Sequence, residues 1–135
     1  MAEALGSIGW LDLTVENAAA VRDFYRAVVG WEVDEVEMGG YSDFVMKDPV
    51  SGEGVAGVCH ARGANRDLPP VWIAYLRIPD LAAAVARATA LGGAIVAPPR
   101  DLGAMGRYAV VRDPAGAAIA LWQAPSEAPG SQAAP

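Results

Sequence analysis

The sequence predicts an α+β fold made of two β-α-β-β-β modules, each a four-stranded sheet with one helix on its outer face, the two inner faces enclosing a cleft. Three observations predict it. The chain repeats itself at an interval of about 63 residues, so that Gly30-Trp31-Glu32-Val33 recurs as Gly93-Ala94-Ile95-Val96. Phe44-Val45-Met46-Lys47-Asp48-Pro49 recurs as Ala109-Val110-Val111-Arg112-Asp113-Pro114, and each Asp-Pro pair is soon followed by a glycine, Gly52 or Gly116. Each copy also opens with a period-two segment and passes into a helical one, the order a strand followed by a helix requires. Two copies of this length do not make a solenoid, which needs three or more shorter units.

In the first copy, Ile8 to Val15 sets Trp10, Asp12 and Thr14 against Leu11, Leu13 and Val15, the alternation of a strand whose faces meet different surroundings. Asn17 is placed to cap a helix carrying Val21, Phe24, Tyr25 and Val28 at i, i+3, i+4 and i+7, an apolar stripe that needs a sheet to cover it. Gly30 ends that helix, because glycine enters the left-handed C-cap conformation without the Cβ penalty. Three strands follow, near Glu32 to Glu37, Tyr41 to Lys47 and Val55 to His60.

The stretch Ala61 to Pro70, with Gly, Asn, Asp and two prolines, breaks the pattern and separates the modules, 8–60 and 71–124. The second copy then restarts with a strand at Val71 to Ile78. Asp80 takes the place of Asn17, and Leu81, Ala84, Val85, Ala88 and Leu91 form the inner face of a helix that ends at Gly92-Gly93. Its remaining strands fit Ala94 to Ala97, Arg107 to Arg112 and Ala117 to Gln123. Residues 125–135 are Pro, Ala, Gly, Ser and Gln almost throughout and read as a disordered tail outside a single domain spanning 8–124.

Composition narrows the function classes. At 135 residues the chain has the size of one domain, and 53% hydrophobic residues give it enough apolar material for a core. No apolar run approaches the roughly 18 residues that span a bilayer, and the N-terminus lacks a secretory pattern. A soluble, cytoplasmic protein is expected, with no membrane partner. A net charge of −6, without a Lys/Arg cluster, leaves no footprint for nucleic acid. The one cysteine, Cys59, has no disulfide partner and reads as a small buried hydrophobe.

Four features of the chain together resemble the vicinal oxygen chelate superfamily of glyoxalases, bleomycin-resistance proteins and extradiol dioxygenases: Trp10-Leu11-Asp12-Leu13, Phe24-Tyr25 ahead of Gly30-Trp31, the run from Gly106 through Asp113-Pro114 to Ala117, and the ending Leu121-Trp122-Gln123. The resemblance spans about Ile8 to Ala124 and implies a glyoxalase-like fold, in a subgroup mostly without an assigned reaction. It also implies a homodimer and, for most of the superfamily, a divalent metal held by His, Glu or Gln from the first and fourth strands of each module. Carried onto this chain, those positions fall on Trp10, Ile73 (Trp72 if a bulge shifts the strand), Gly57 and Ala120. None is a ligand; indole nitrogen only donates. No metal and no other cofactor are therefore expected in the cleft, and an oxygen site at Asp12 and Asp43 would be weak.

Asp12 is the candidate catalytic residue. On the central strand it could serve as a general base, or pair with Arg107 or Arg77 as a buried ion pair. Trp10, Tyr75 and Trp122 offer aromatic faces, and with Asp12 and Arg107 they form the expected ligand-binding set; simple core filling explains Trp10 and Tyr75 equally well and explains Trp122 better. Cys59 and His60 are adjacent on a strand, point to opposite faces, and do not form a nucleophilic pair. Asp48 and Asp113 are turn residues. The reading that follows is a protein that binds a small apolar or aromatic molecule in a metal-free cleft. The alternative is a metal-independent lyase or isomerase with Asp12 as base and Arg107 or Tyr75 stabilising an oxyanion. A metal-dependent glyoxalase or dioxygenase has the least support.

Overall fold

The structure, a computed structural model, describes residues 4–125. Of the expected tail, 125–135, residues 126–135 lie outside the described residues. Two compact units divide the described residues, one Trp10–Trp72 and the other formed by residues 4–9 and 73–125. Each has the same plan.

In the first unit, β1 (Ile8–Val15), α1 (Ala18–Val29), β2 (Glu32–Glu37), β3 (Ser42–Lys47) and β4 (Gly54–His60) follow one another. The strands lie in the order β2-β3-β4-β1. Hairpins make the first two pairings antiparallel, while β1 runs parallel to β4 because α1 and two strands intervene. In the second unit, β5 (Trp72–Arg77), α2 (Leu81–Ala90), β6 (Ala94–Asp101), β7 (Arg107–Arg112) and β8 (Ala118–Gln123) repeat the scheme as β5-β8-β7-β6, with β5 parallel to β8. The sequence repeat is thus a structural repeat, and the α+β expectation holds.

Alternation divides each sheet into a helix-covered and a helix-free face. In the first unit Ala18, Phe44, Met46 and Val58 form the buried core beneath α1, joined by Val21, Tyr25, Trp31 and Trp72. Trp72 donates its indole N–H to the Tyr25 hydroxyl at 3.0 Å and packs edge-on to that ring. In the second unit Leu81, Ala109, Val111 and Leu121 pack with Ile78, Ala84, Val85 and Ala88.

The helix ends behave unequally. Gly30 closes α1 in the left-handed conformation, at φ 87°. Asp80 caps α2 by accepting the Ala83 N–H, as its position requires. Asn17 stands at the head of α1 without a side-chain cap bond; its φ/ψ of −100°/49° lies outside the extended region from which a cap side chain reaches the first-turn N–H groups. The α1 stripe is also only half covered. Val21 and Tyr25 turn inward, whereas Phe24 and Val28 are 56% and 65% exposed, because the face centred on Ala18, Val21 and Tyr25 meets the sheet.

Strand β6 runs four residues past its expected end, through Pro98 and Pro99 to Asp101. It is an edge strand of its unit with register shifts opposite β7, the setting in which proline is tolerated. No helix among the described residues is long and apolar enough to cross a membrane.

Candidate functional site

On the helix-free face of the first unit, β1 presents Trp10, Asp12 and Thr14, and β4 presents Gly57 and Cys59 opposite them. The register pairs Asp12 with Gly57 and Thr14 with Cys59. Trp10 donates its indole N–H to Asp12 Oδ1 at 2.6 Å, the length of a charge-assisted bond. Glycine at 57 makes this possible: a Cβ there would run into the Asp12 carboxylate and lie 3.4 Å from the indole nitrogen. Gly54 does the same for the other end of the ring, where a Cβ would meet Val45 Cγ1 at 2.9 Å and Trp10 Cη2 at 3.5 Å. The indole therefore lies across a glycine floor on β4, held by the carboxylate at its nitrogen. Glycine inside a strand weakens it and marks close approach by another group; here that group is the Trp10 side chain.

Cys59 sits on the same face. Burial pushes its thiol well above the ordinary value of 9.0, and the Asp12 and Asp43 carboxylates push it further. A raised pKa leaves little of the reactive thiolate at neutral pH. Asp43 accepts the His60 backbone N–H at 2.8 Å and lies 3.3 Å from its Nδ1, while the His60 ring packs against Tyr41 and Phe44. Adjacent on β4, Cys59 stands opposite Thr14 and His60 opposite Val15, on alternate faces of the sheet. Asp48 and Asp113 are turn residues: Asp48 accepts the N–H of Val50, and Asp113 those of Ala115 and Ala117.

On the helix-free face of the second unit, the Tyr75 and Tyr108 rings lie 5.6 Å apart. Arg100 donates Nη1 to the Tyr108 hydroxyl at 2.9 Å. Ala120 is opposite Tyr75 in the register, and Trp122 is opposite Tyr108. Trp122 donates its indole N–H to the Met105 carbonyl at 2.7 Å. Arg77, 6% exposed, shares the parity of Tyr75. Arg107 does not belong to this set. It alternates with Tyr108 and falls on the side of Ala109 and Val111, the side packed under α2. Its expected place as the cation beside the aromatics is taken by Arg100. Counting back by two from Arg112 would have found Tyr108; Arg100 was hidden behind the two prolines of β6.

A model of the Glyoxalase/Bleomycin resistance protein/Dioxygenase superfamily matches residues 7–121. The chain belongs to this superfamily. Among curated relatives it is 33% identical over 120 residues to the Mycobacterium tuberculosis protein named "Putative glyoxylase CFP32", covering 88% of this chain and 46% of that one. It is also 33% identical to "Anthracycline biosynthesis protein DnrV" of Streptomyces peucetius, covering 89% and 48%. The chain thus spans about half the length of the curated relatives it matches. Methylmalonyl-CoA epimerase of Streptomyces coelicolor, solved with 2-nitronate-propionyl-CoA, shares the fold at a TM-score of 0.55 and 19% identity, covering 90% of this chain and 99% of that one. The Mycobacterium tuberculosis epimerase shares it at 0.54 and 17%, covering 92% and 93%.

The superfamily's usual divalent metal does not fit the residues that stand at its positions here. Trp10 offers only an N–H that Asp12 already accepts, and Gly57 is occupied from above by that carboxylate. Ile73 and Ala120 are buried and apolar, at 2% and 0% exposure. Trp72 is turned into the α1 core. Among the described residues no three of His, Cys, Asp and Glu gather as a metal-binding group.

Proposed function

We propose that this superfamily member binds a small, planar aromatic or apolar molecule against its helix-free sheet faces, without a metal at the superfamily's positions. The observation that carries the reading is the Trp10 indole held across Gly54 and Gly57 by Asp12. A ring whose rotamer is fixed before binding loses little freedom when a ligand stacks on it, and its apolar face is suited to aromatic surface. Tyr75 and Trp122 take the same role on the face of the other unit, with Tyr108 buried behind Tyr75 and Arg100 as the neighbouring cation. The name of the Streptomyces peucetius relative, an anthracycline biosynthesis protein, supports a flat polycyclic ligand. We place the protein in the cytoplasm, with no nucleic-acid or membrane partner.

A second reading, a metal-independent lyase or isomerase, is favoured by the fixed position of the Asp12 carboxylate. As a base it would take a carbon-bound proton while the electron pair moves into an adjacent carbonyl.

Titration of intrinsic tryptophan fluorescence with 1,8-dihydroxyanthraquinone, checked by calorimetry, tests the binding reading. Trp10→Ala is expected to weaken binding about tenfold or more, while Asp12→Asn keeps the indole acceptor and leaves affinity within about threefold. Equal binding by wild type and Trp10→Ala would sink the proposal. Turnover of any carbonyl substrate that Asp12→Asn abolishes would favour the second reading.

A further inference from the structure

The second unit has a charge balance opposite to that of the whole chain. The chain carries −6, yet among its described residues this unit sets five arginines, Arg77, Arg87, Arg100, Arg107 and Arg112, against three aspartates. Each aspartate accepts backbone N–H groups away from the helix-free face: Asp80 that of Ala83 at the head of α2, Asp101 that of Gly103, and Asp113 those of Ala115 and Ala117. The first unit is the reverse. Register places Asp12, Asp34 and Asp43 on its helix-free face, where they outnumber Lys47, which Asp34 already holds at 3.0 Å.

One row of register partners crosses the helix-free face of the second unit from β5 to β6: Arg77, Trp122, Tyr108 and Arg100. Trp122 is a fixed platform in this row. Its indole N–H is taken by the Met105 carbonyl, and its ring edge lies over Gly106, where a Cβ would run into the Gln123 carbonyl and stand 2.9 Å from Trp122 Nε1. Arg100 is half-buried, and its guanidinium carbon lies 5.6 Å from the centre of the Tyr108 ring, with Nη1 on the hydroxyl. A phenol hydroxyl is a neutral partner, so this bond fixes the guanidinium and leaves its charge in place. It also uses only one of the five N–H donors. Two strand spacings, about 10 Å, separate the backbones of Trp122 and Arg100, the reach of a molecule of two or three fused rings with a charged group at one end.

We propose, resting on the binding reading above, that the ligand of this face is an aromatic carboxylic acid. Its rings lie against Trp122 and Tyr75, and its carboxylate pairs with Arg100. A guanidinium meets a carboxylate through two parallel N–H···O bonds, a match that a carboxamide, with one acceptor oxygen, does not offer. Arg100 therefore orients the ligand and selects it. The carboxylates on the face of the first unit repel such an anion, so the acid takes the second unit.

Calorimetric titration of the full chain with 9,10-anthraquinone-2-carboxylate and with the corresponding carboxamide, which share one ring system, tests this. The carboxylate is expected to bind about tenfold tighter. Arg100→Gln is expected to bring the two probes to equal affinity while leaving the carboxamide within about threefold of wild type, and Arg100→Lys, which keeps the charge without the fork, to restore part of the preference. Arg107→Gln, on the α2 side of the sheet, should leave the preference intact. Raising the salt concentration reads the same ion pair in the wild type, with no variant that must fold: the carboxylate should weaken and the carboxamide should not. Equal binding of the two probes by the wild type, or a preference that survives Arg100→Gln, overturns the carboxylate assignment and leaves the binding reading standing, which Trp10→Ala tests separately. Binding of neither probe overturns both.

Discussion

Trp10 and Asp12, two residues apart on one face of β1, are joined by an indole-to-carboxylate hydrogen bond of 2.6 Å directly above Gly57 of β4. Ring, carboxylate and missing side chain form one unit. The indole is held because the carboxylate is fixed, and the carboxylate has room because position 57 has no Cβ.

Gly57→Ala therefore breaks the arrangement with a single methyl group. Alanine suits a strand better than glycine, yet its Cβ collides with the Asp12 carboxylate, and overpacking of this kind costs about 1–3 kcal/mol. A lower melting temperature is expected, together with an upfield shift and faster exchange of the Trp10 indole proton in NMR spectra. An unchanged indole signal would show that Asp12 can move aside freely.

Much of this architecture was legible in the sequence because it rests on local rules. The alternation from Ile8 to Val15 set β1, Gly30 and Asp80 marked helix ends, and the two Asp-Pro turns marked the repeat. The pairing of Trp10 with Asp12 on one face also followed from period two. What the pattern did not carry were choices made by packing. The side of α1 facing the sheet depends on where Phe44 and Met46 sit, and so Phe24 and Val28 came out exposed. Arg107 lies one residue from the parity of Tyr108, and a shift of one residue exchanges the faces of a sheet. Arg100 is reached only because an edge strand accepts Pro98 and Pro99.

Cys59 makes the folded state sensitive to alkaline pH. Its pKa is raised above the ordinary value of 9.0, chiefly by burial, so folding favours the neutral thiol. That preference is fully present below about pH 9 and is lost as pH rises above it, where the unfolded chain releases its proton and the folded chain does not. Melting temperatures should fall above pH 9 in the wild type more steeply than in Cys59→Ala. Alkylation by iodoacetamide at pH 8 should be slower in native than in urea-unfolded protein; equal rates would contradict the raised pKa of this partly buried thiol.

The two bonds at the head of α2 differ in depth and should differ in worth. Gln123, 1% exposed, accepts the Leu81 N–H at 2.7 Å, and Asp80 at the surface accepts that of Ala83 at 3.1 Å. Gln123→Ala strands a buried donor and opens a cavity, so it should cost about 2–4 kcal/mol in urea denaturation. Asp80→Ala loses an exposed cap, and about 1 kcal/mol is expected. A larger loss from Asp80→Ala would mean that the cap, and not the bond from β8, anchors the helix.

The donor chemistry at the superfamily's metal positions makes the last expectation direct. Indole, glycine, isoleucine and alanine supply none of the N, O or S lone pairs that divalent ions need. Protein incubated with zinc, nickel, manganese or ferrous iron and then desalted should retain far less than one metal per chain by mass spectrometry. Nor should restoring one ligand restore the site. Ala120 is fully buried beside Tyr75 and Val110, so Ala120→Glu would place a carboxylate in an apolar, crowded position and destabilise the fold by several kcal/mol. If Ala120→Glu instead gains stability when zinc is added, a lone pair from elsewhere on the sheet must be completing the coordination, and the metal-free reading would fall.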